Sequence, residues 1–153
     1  MRIIRKIFSK SRSLEDGIFF DSIQKILGFA PLDLDNYKKA FTHRSANRVD
    51  GSGNPMNYER LEFLGDAMLS SVIAAYLFDK APLGDEGYLT KMRSKIVSRE
   101  HLNELGKDLN LCNFIESKVP VQHFGDNVHG SIFDSLVVVV FLDVAYPSSV
   151  WFV

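Results

Sequence analysis

The fold is decided by residues 58–69, which read Tyr-Glu-Arg-Leu-Glu-Phe-Leu-Gly-Asp-Ala-Met-Leu. Three carboxylates in this stretch, Glu59, Glu62 and Asp66, follow one another at spacings of three and four, which places them on one face of a helix. The opposite side has apolar residues at helical spacing, namely Leu61, Leu64, Met68 and Val72. We therefore predict a helix over residues 58–79 that presents an acidic face and anchors its apolar side in a core.

The acidic face has two interpretations. Glu62 and Asp66 are hard oxygen ligands of the kind that holds Mg²⁺ together with waters and substrate phosphates. The alternative is an ordinary solvated helix surface, which is common for acidic residues. Gly65 costs a helix up to about 1 kcal/mol relative to Ala, which indicates that another group approaches the backbone there. Together with the neighbouring Phe63, this glycine favours the metal site.

The composition sets limits on the class of protein. A chain of 153 residues has room for one domain with a substantial core, and its net charge of −1 excludes a generally basic nucleic-acid-binding domain. Cys112 is the only cysteine, so no intrachain disulfide can form and a reducing compartment is expected. The apolar run from Leu136 to Leu142 is shorter than the ~20 residues of a membrane-spanning helix. We expect a soluble cytoplasmic protein with no membrane association.

The N-terminal residues 1–15 contain five cations and no acid before Glu15. This pattern favours a basic arm that could hold a polyanion. The same composition also fits an organellar transit peptide, which is rich in Arg and Ser and poor in acids. An organellar location therefore remains the alternative to the cytoplasm.

Helical periodicity dominates the rest of the chain. One helix is predicted to end at Gly28, a second to begin at a cap on Asp33 or Asp35, and others to follow the turn at residues 82–87. Another is expected to open at Ser98 or Arg99, whereas residues 47–57 and 116–130 read as loops. The exception is Val137–Val140, whose stiff β-branched side chains locally favour a strand.

Residues 59–66, Glu-Arg-Leu-Glu-Phe-Leu-Gly-Asp, resemble the signature of the ribonuclease III family of metal-dependent endonucleases, which cut double-stranded RNA. Upstream, residues 41–45, Phe-Thr-His-Arg-Ser, resemble a second element of that family. Downstream, residues 85–87 followed by Met92 and Arg93 resemble the segment after the signature helix. The resemblance extends in order over roughly residues 18–143.

The resemblance implies an all-α endonuclease domain over residues 16–143, between the basic arm 1–15 and a divergent tail 144–153. It also implies a homodimer whose subunits form a valley for double-stranded RNA, and a Mg²⁺ cofactor, with Mn²⁺ as an alternative. The implied function is hydrolysis of RNA phosphodiester bonds in RNA processing, such as maturation of rRNA precursors.

The site residues follow from the same resemblance. Glu62, Asp66 and Asp134 are the expected catalytic and metal-binding residues, and Glu59 is an auxiliary residue. Counting back from the Phe-Leu-Asp ending at Asp143, two further acids of the family, an Asp and a Glu, fall on Ser131 and Asp134. Ser131 thus belongs to the metal site but lacks a charge. The resemblance assigns no RNA-contacting residue.

A rival interpretation remains open, because Ser131 has no charge and Asp134 is shorter than the Glu of the family. The domain could have lost cleavage and serve as a double-stranded-RNA-binding or dimerisation module. A helical protein-interaction domain without RNA is a weaker third interpretation, because such a scaffold needs neither the acids nor the glycine of residues 59–66.

Two other groups of side chains have plainer explanations. The cations Lys91, Arg93, Lys95 and Arg99 form a basic face that could contact phosphate or simply be solvated. His123, Asp126 and His129 have a spacing that could suggest zinc, but they lie in a predicted loop with no fourth ligand, so solvent exposure is expected.

Overall fold

A computed structural model describes residues 12–145. Over these residues the backbone forms six α-helices and three short 3₁₀ segments, and its only β-type pairings are two isolated bridges. The α-helices are α1 (Leu14–Leu27), α2 (Leu34–Ala40), α3 (Glu59–Lys80), α4 (Glu86–Ile96), α5 (Arg99–Asp108) and α6 (Val128–Ala145). The prediction of an all-α fold is confirmed.

The chain divides into two compact units, residues 1–32 and 33–153. In the first unit, the Ser13 hydroxyl caps α1 by accepting a hydrogen bond from the Asp16 amide at 3.1 Å. The helix ends where predicted, at Gly28, which has a φ of 78°. Of the predicted arm 1–15, residues 1–11 lie outside the described residues, and Leu14 already belongs to α1. The predicted tail 144–153 lies outside them from residue 146 onward.

Helix α6 is the centre of the second unit and packs against α3, α5 and α2. Glycines allow two of these neighbours to approach closely. A Cβ atom at Gly65 of α3 would overlap the carbonyl group of Asp134, and one at Gly106 of α5 would overlap that of His129. The close approach that Gly65 indicated is therefore an approach of α6 itself.

The local prediction of a strand at Val137–Val140 is wrong, because all four residues lie within α6. Val138 and Val139 have no exposed surface. Burying a valine side chain stabilises the fold by about 1.5–3 kcal/mol. The helix propensity of valine costs at most about 0.7 kcal/mol per residue. Burial among the neighbouring helices therefore outweighs the local preference.

Helix α2 is attached to α6 through Asp143. The Tyr37 hydroxyl donates a buried hydrogen bond to Asp143 Oδ2 at 2.9 Å, and the Asp33 amide donates to Oδ1 at 3.1 Å. Asp33 also caps α2, since its carboxylate accepts hydrogen bonds from the amides of Asp35 and Asn36. Of the two predicted caps, Asp33 is the one that the structure uses.

Helix α3 matches the predicted helix to within one residue at each end, but its apolar side is only partly anchored. Leu61 and Met68 are partly buried, whereas Leu64 and Val72 are 42% and 55% exposed. The latter two differ from the prediction because α6 contacts α3 through the backbone at Gly65, which leaves larger side chains at the surface. By length and composition alone, α3 could cross a membrane. Its acids argue against this, since each would cost up to about 3 kcal/mol within a bilayer.

We predict that Gly65→Ala lowers the free energy of unfolding by about 3 kcal/mol, because the new methyl group must push α3 and α6 apart. Gly87→Ala is the matched control: Gly87 also lies in a helix, but a Cβ there meets only the Asp85 carboxylate at 3.6 Å. The control should be neutral or slightly stabilising. Urea denaturation measures both, and equal effects of the two substitutions would contradict the close packing at Gly65.

Candidate active site

The contact between α3 and α6 brings together side chains that are distant in sequence. Glu62 and Asp66 extend from α3, and Ser131 and Asp134 extend from α6. The Ser131 hydroxyl donates a hydrogen bond to Glu62 Oε1 at 2.6 Å. All four residues predicted for the metal site thus lie in one place. We call Glu62, Asp66 and Asp134 the carboxylate cluster.

The guanidinium of Arg99 lies among the three carboxylates. Its Nη1 atom is 3.1 Å from Asp134 Oδ2 and 3.5 Å from Glu62 Oε1, and its Nη2 atom is 3.9 Å from Asp66 Oδ1. Arg99 is the first residue of α5, and Ser98 is the N-cap of this helix. One cation therefore contacts acids from two different helices.

Asp134 is the most unusual group in the cluster, because its side chain is fully buried. Burial raises the pKa of its carboxyl to about 6; Arg99 opposes the rise, whereas Asp66 and Glu62 add to it. Its second oxygen, Oδ1, has no hydrogen-bond partner within residues 12–145. A buried carboxylate oxygen without a partner is costly, so this atom would gain from a further cation or donor.

The donor chemistry of the cluster fits a hard divalent cation, since the ligands are carboxylate oxygens and one of them is unpartnered. The present arrangement is not a finished metal site: across residues 12–145, no three acidic, histidine or cysteine side chains are grouped to hold a metal ion. The acids instead surround a guanidinium, which is larger than a metal ion. Glu62, Asp66 and Asp134 are the residues that would hold the metal.

A cleft of about 280 Å³ opens beside the cluster, and Glu62 is the cluster carboxylate that lines it. Its lining includes Glu62 and Ser131 together with His43, whose ring stacks on Phe124 with centroids 4.4 Å apart. Glu59 lies at the same cleft, half-exposed and 3.5 Å from Arg44. A larger cavity of about 570 Å³, lined by residues 80–85 and Tyr88, contains none of the cluster residues.

Comparison with known proteins places this chain in a family. The model of a family described as ribonuclease-III-like matches residues 34–153, which include the whole cluster. The chain belongs to the ribonuclease III family. The resemblance noted at residues 59–66 is thereby confirmed. The fold of the chain is the one expected for that family.

Individual relatives agree with this assignment. The chain is 67% identical to ribonuclease 3 of Flavobacterium psychrophilum over 94% of its own length and 58% of that protein. It is 62% identical to ribonuclease 3 of Zunongwangia profunda over 95% of its length and 60% of that protein. The chain therefore spans about three-fifths of the length of these curated relatives.

A solved structure of the same family has a similar fold. The nuclease domain of ribonuclease III from Campylobacter jejuni, a structure described for flexibility in a region involved in dimer formation, superposes with a TM-score of 0.70. The two chains are 28% identical, and the match covers 82% of this chain and 86% of that one. The helical architecture is thus that of a ribonuclease III nuclease domain.

Arg99 is the site residue that the sequence analysis did not identify. Its spacing in the sequence predicts a basic face shared with Lys91, Arg93 and Lys95, whereas in the structure its side chain contacts the carboxylate cluster. A signal was present, because a cation at the first position of a helix is disfavoured by the helix dipole. Such a placement indicates a compensating acidic partner elsewhere in the fold.

The candidate zinc residues are separated in the structure. His123 and Asp126 are exposed, as predicted. His129 differs from the prediction, because it lies on α6 and is half-buried. Its Nδ1 atom is 3.1 Å from Cys112 Sγ. Burial raises the pKa of the Cys112 thiol to about 11, so this thiol is not an activated nucleophile.

The raised pKa of Asp134 predicts a pH effect on stability. Above pH 6 the buried carboxylate is charged and disfavours the folded state; the penalty is relieved as the pH falls from about 6 towards the ordinary value of 3.8. Relative to Asp134→Asn, the unmodified chain should gain about 1 kcal/mol of stability between pH 7 and pH 5. Urea denaturation with a metal chelator measures the difference, and parallel pH profiles would contradict it.

Proposed function

We propose that this domain is a metal-dependent endoribonuclease that hydrolyses phosphodiester bonds of double-stranded RNA. The observation that supports it most directly is the convergence of Glu62, Asp66 and Asp134 on one cation beside an open cleft. The cluster lies in a ribonuclease-III-like fold, and its Glu62 lines a cleft that is open to solvent. Sequence relatives named ribonuclease 3 support the same reaction class.

The roles of the residues follow from their positions. Glu62, Asp66 and Asp134 would hold Mg²⁺ or Mn²⁺, and a bound ion would supply an activated water and charge stabilisation at the phosphate. The Ser131 hydroxyl fixes one Glu62 oxygen by its 2.6 Å hydrogen bond, so it orients a ligand without adding charge. Glu59, at the mouth of the cleft, shapes the approach to the site.

The RNA would be recognised by its backbone. Arg44 lines the cleft and its side chain is 73% exposed, so its guanidinium is available to a phosphate despite the 3.5 Å contact with Glu59. Recognition of A-form shape, rather than base sequence, suits a role in RNA processing such as rRNA maturation in the cytoplasm. The basic residues before α1 would add to binding of the polyanion.

The exposed side of α3 supports a homodimer. Phe63 and Phe78 are 81% and 77% exposed, and Leu64, Val72 and Tyr76 are also exposed on this helix. Apolar surface of this extent on one helix usually marks an interface between proteins. A second copy is the proposed partner, because two-fold dimers are the commonest oligomers and two clusters could address the two strands of a duplex.

Two observations favour a different function for the same fold. The cluster has a serine where the family resemblance implies an acid, and an arginine already neutralises part of its charge. Both features would weaken binding of a divalent cation. The second candidate function is therefore a catalytically impaired module that binds double-stranded RNA or dimerises. A cleavage assay on double-stranded RNA with Mg²⁺, and with a chelator as control, separates the two candidates.

We predict that Asp66→Asn reduces cleavage of double-stranded RNA by more than about 100-fold, because it removes a metal-ligand charge while conserving volume. Asp79→Asn on the same helix is the control, since Asp79 is exposed and pairs with Lys80 away from the cluster. Single-turnover cleavage in Mg²⁺ measures both variants. Full activity of Asp66→Asn at low Mg²⁺ would mean that the acidic face is only solvated surface.

We predict that the chain is a dimer at micromolar concentration and that the combined change Leu64→Glu and Val72→Glu makes it monomeric, because two charges would be buried in the interface. The fold should survive, since both side chains are exposed within one chain. Leu83→Glu is the control, because Leu83 is fully exposed outside α3. Sedimentation equilibrium gives the mass, and a monomeric parent chain would overturn the proposed dimer.

A further inference from the structure

The contacts of Arg99 require an explanation beyond local structure. A cation at the first position of α5 is disfavoured by the partial positive charge of the helix N-terminus. The Ser98 side chain already caps this helix by accepting a hydrogen bond from the His101 amide at 3.3 Å. Arg99 is therefore not needed to begin α5, and its position is maintained by the carboxylate cluster.

The strength of its contacts is uneven. The contact with Asp134, 3.1 Å, joins Arg99 to a fully buried carboxylate, whereas those with Glu62 and Asp66 are longer, at 3.5 and 3.9 Å. The Arg99 side chain is itself 44% exposed. A long, half-exposed side chain can turn out to solvent without moving the backbone. The Arg99 guanidinium can therefore move from the cluster into solvent.

A guanidinium and a divalent ion at the cluster would compete for the same carboxylate oxygens. Mg²⁺ and Mn²⁺ need carboxylate oxygens at roughly 2.0–2.2 Å. In the structure the same oxygens are arranged around the wider guanidinium of Arg99, at distances of 3.1–3.9 Å. Asp134 Oδ1, which has no partner in residues 12–145, is an oxygen that could gain a contact in such an exchange.

We propose that Arg99 is an exchangeable counter-ion of the carboxylate cluster, which it stabilises in the metal-free state and leaves when a divalent cation binds. The inference rests on the metal site of the proposed function. The apparent affinity for the ion is the intrinsic affinity multiplied by the fraction of molecules in which Arg99 does not occupy the site. Arg99 thereby sets the metal concentration at which the site fills.

Substitution of Arg99 separates this role from a purely structural one. Without Arg99, the buried Asp134 loses its counter-charge, so the metal-free protein should become less stable. Metal binding should become tighter, because the competitor is gone. If Arg99 only supported the fold, its loss would leave the affinity for the metal unchanged or weaken it.

The experiment uses the full chain and Mn²⁺, whose free concentration is measured by its electron paramagnetic resonance signal. Arg99→Gln should lower the metal-free melting temperature by about 5 °C. It should also lower the Kd for Mn²⁺ by about tenfold, the scale of one charged hydrogen bond. The difference in melting temperature between the parent chain and Arg99→Gln should disappear at saturating Mn²⁺.

Two further variants serve as controls. Arg48→Gln removes an arginine that pairs with Glu116, away from the cluster, and should leave the affinity for Mn²⁺ unchanged. Arg99→Lys keeps the charge but replaces the planar guanidinium with a single ammonium group, so it should give an intermediate affinity. The lysine variant also provides the test if Arg99→Gln does not fold.

The outcomes distinguish the two proposals. Unchanged or weaker Mn²⁺ binding by Arg99→Gln, or a melting-temperature difference that persists at saturating Mn²⁺, overturns the exchange while leaving the metal site in place. If the parent chain, Arg99→Gln and Arg99→Lys all fail to bind Mn²⁺, the metal site itself is wrong. Loss of binding in Asp66→Asn ties the measured site to the carboxylate cluster.

Discussion

The close approach of α3 and α6 at Gly65 is the constraint on which the candidate site depends. Because Gly65 has no Cβ atom, the carbonyl of Asp134 packs directly on α3. Residues 62, 66 and 134 can then share one small volume. A second glycine, Gly106, allows the same closeness between α5 and α6. These two backbone contacts determine which side chains meet, and they bring Arg99 to the acids.

The assembled cluster contains more negative than positive charge. Three carboxylates lie around one guanidinium, and the buried Asp134 has an oxygen without a partner in the described part of the chain. An unpaired buried charge is destabilising, so the ion pair with Arg99 stabilises the fold in the absence of metal. The remaining excess of negative charge is what suits the cluster to a divalent cation. Under the proposed function, a bound metal would compete with this ion pair for the same carboxylates.

The packing of α3 also connects the site with the surface. Since α6 contacts this helix through its backbone at Gly65, large apolar side chains such as Phe63 and Val72 remain exposed. Phe63 lies next to Glu62 in sequence, so an interface on this side of α3 would begin beside the cluster. The proposed interface and the carboxylate cluster would therefore lie on the same helix.

From the sequence alone it was possible to predict helices α1 to α5, the acidic spacing of Glu62 and Asp66, and the glycine that marks a close approach. These features depend on local interactions: a cap such as Asp33, a stop such as Gly28, and the helical repeat. The family resemblance added Ser131 and Asp134, which no local pattern would have placed beside α3.

The contacts between these local elements depend on the tertiary structure. It made Val137–Val140 helical because burial outweighs propensity, and it turned Leu64 outward because α6 contacts the backbone of α3. It also placed Arg99 among carboxylates 33 to 37 residues away in sequence. Such contacts depend on the positions of whole helices, and helix positions are determined by packing between distant parts of the chain.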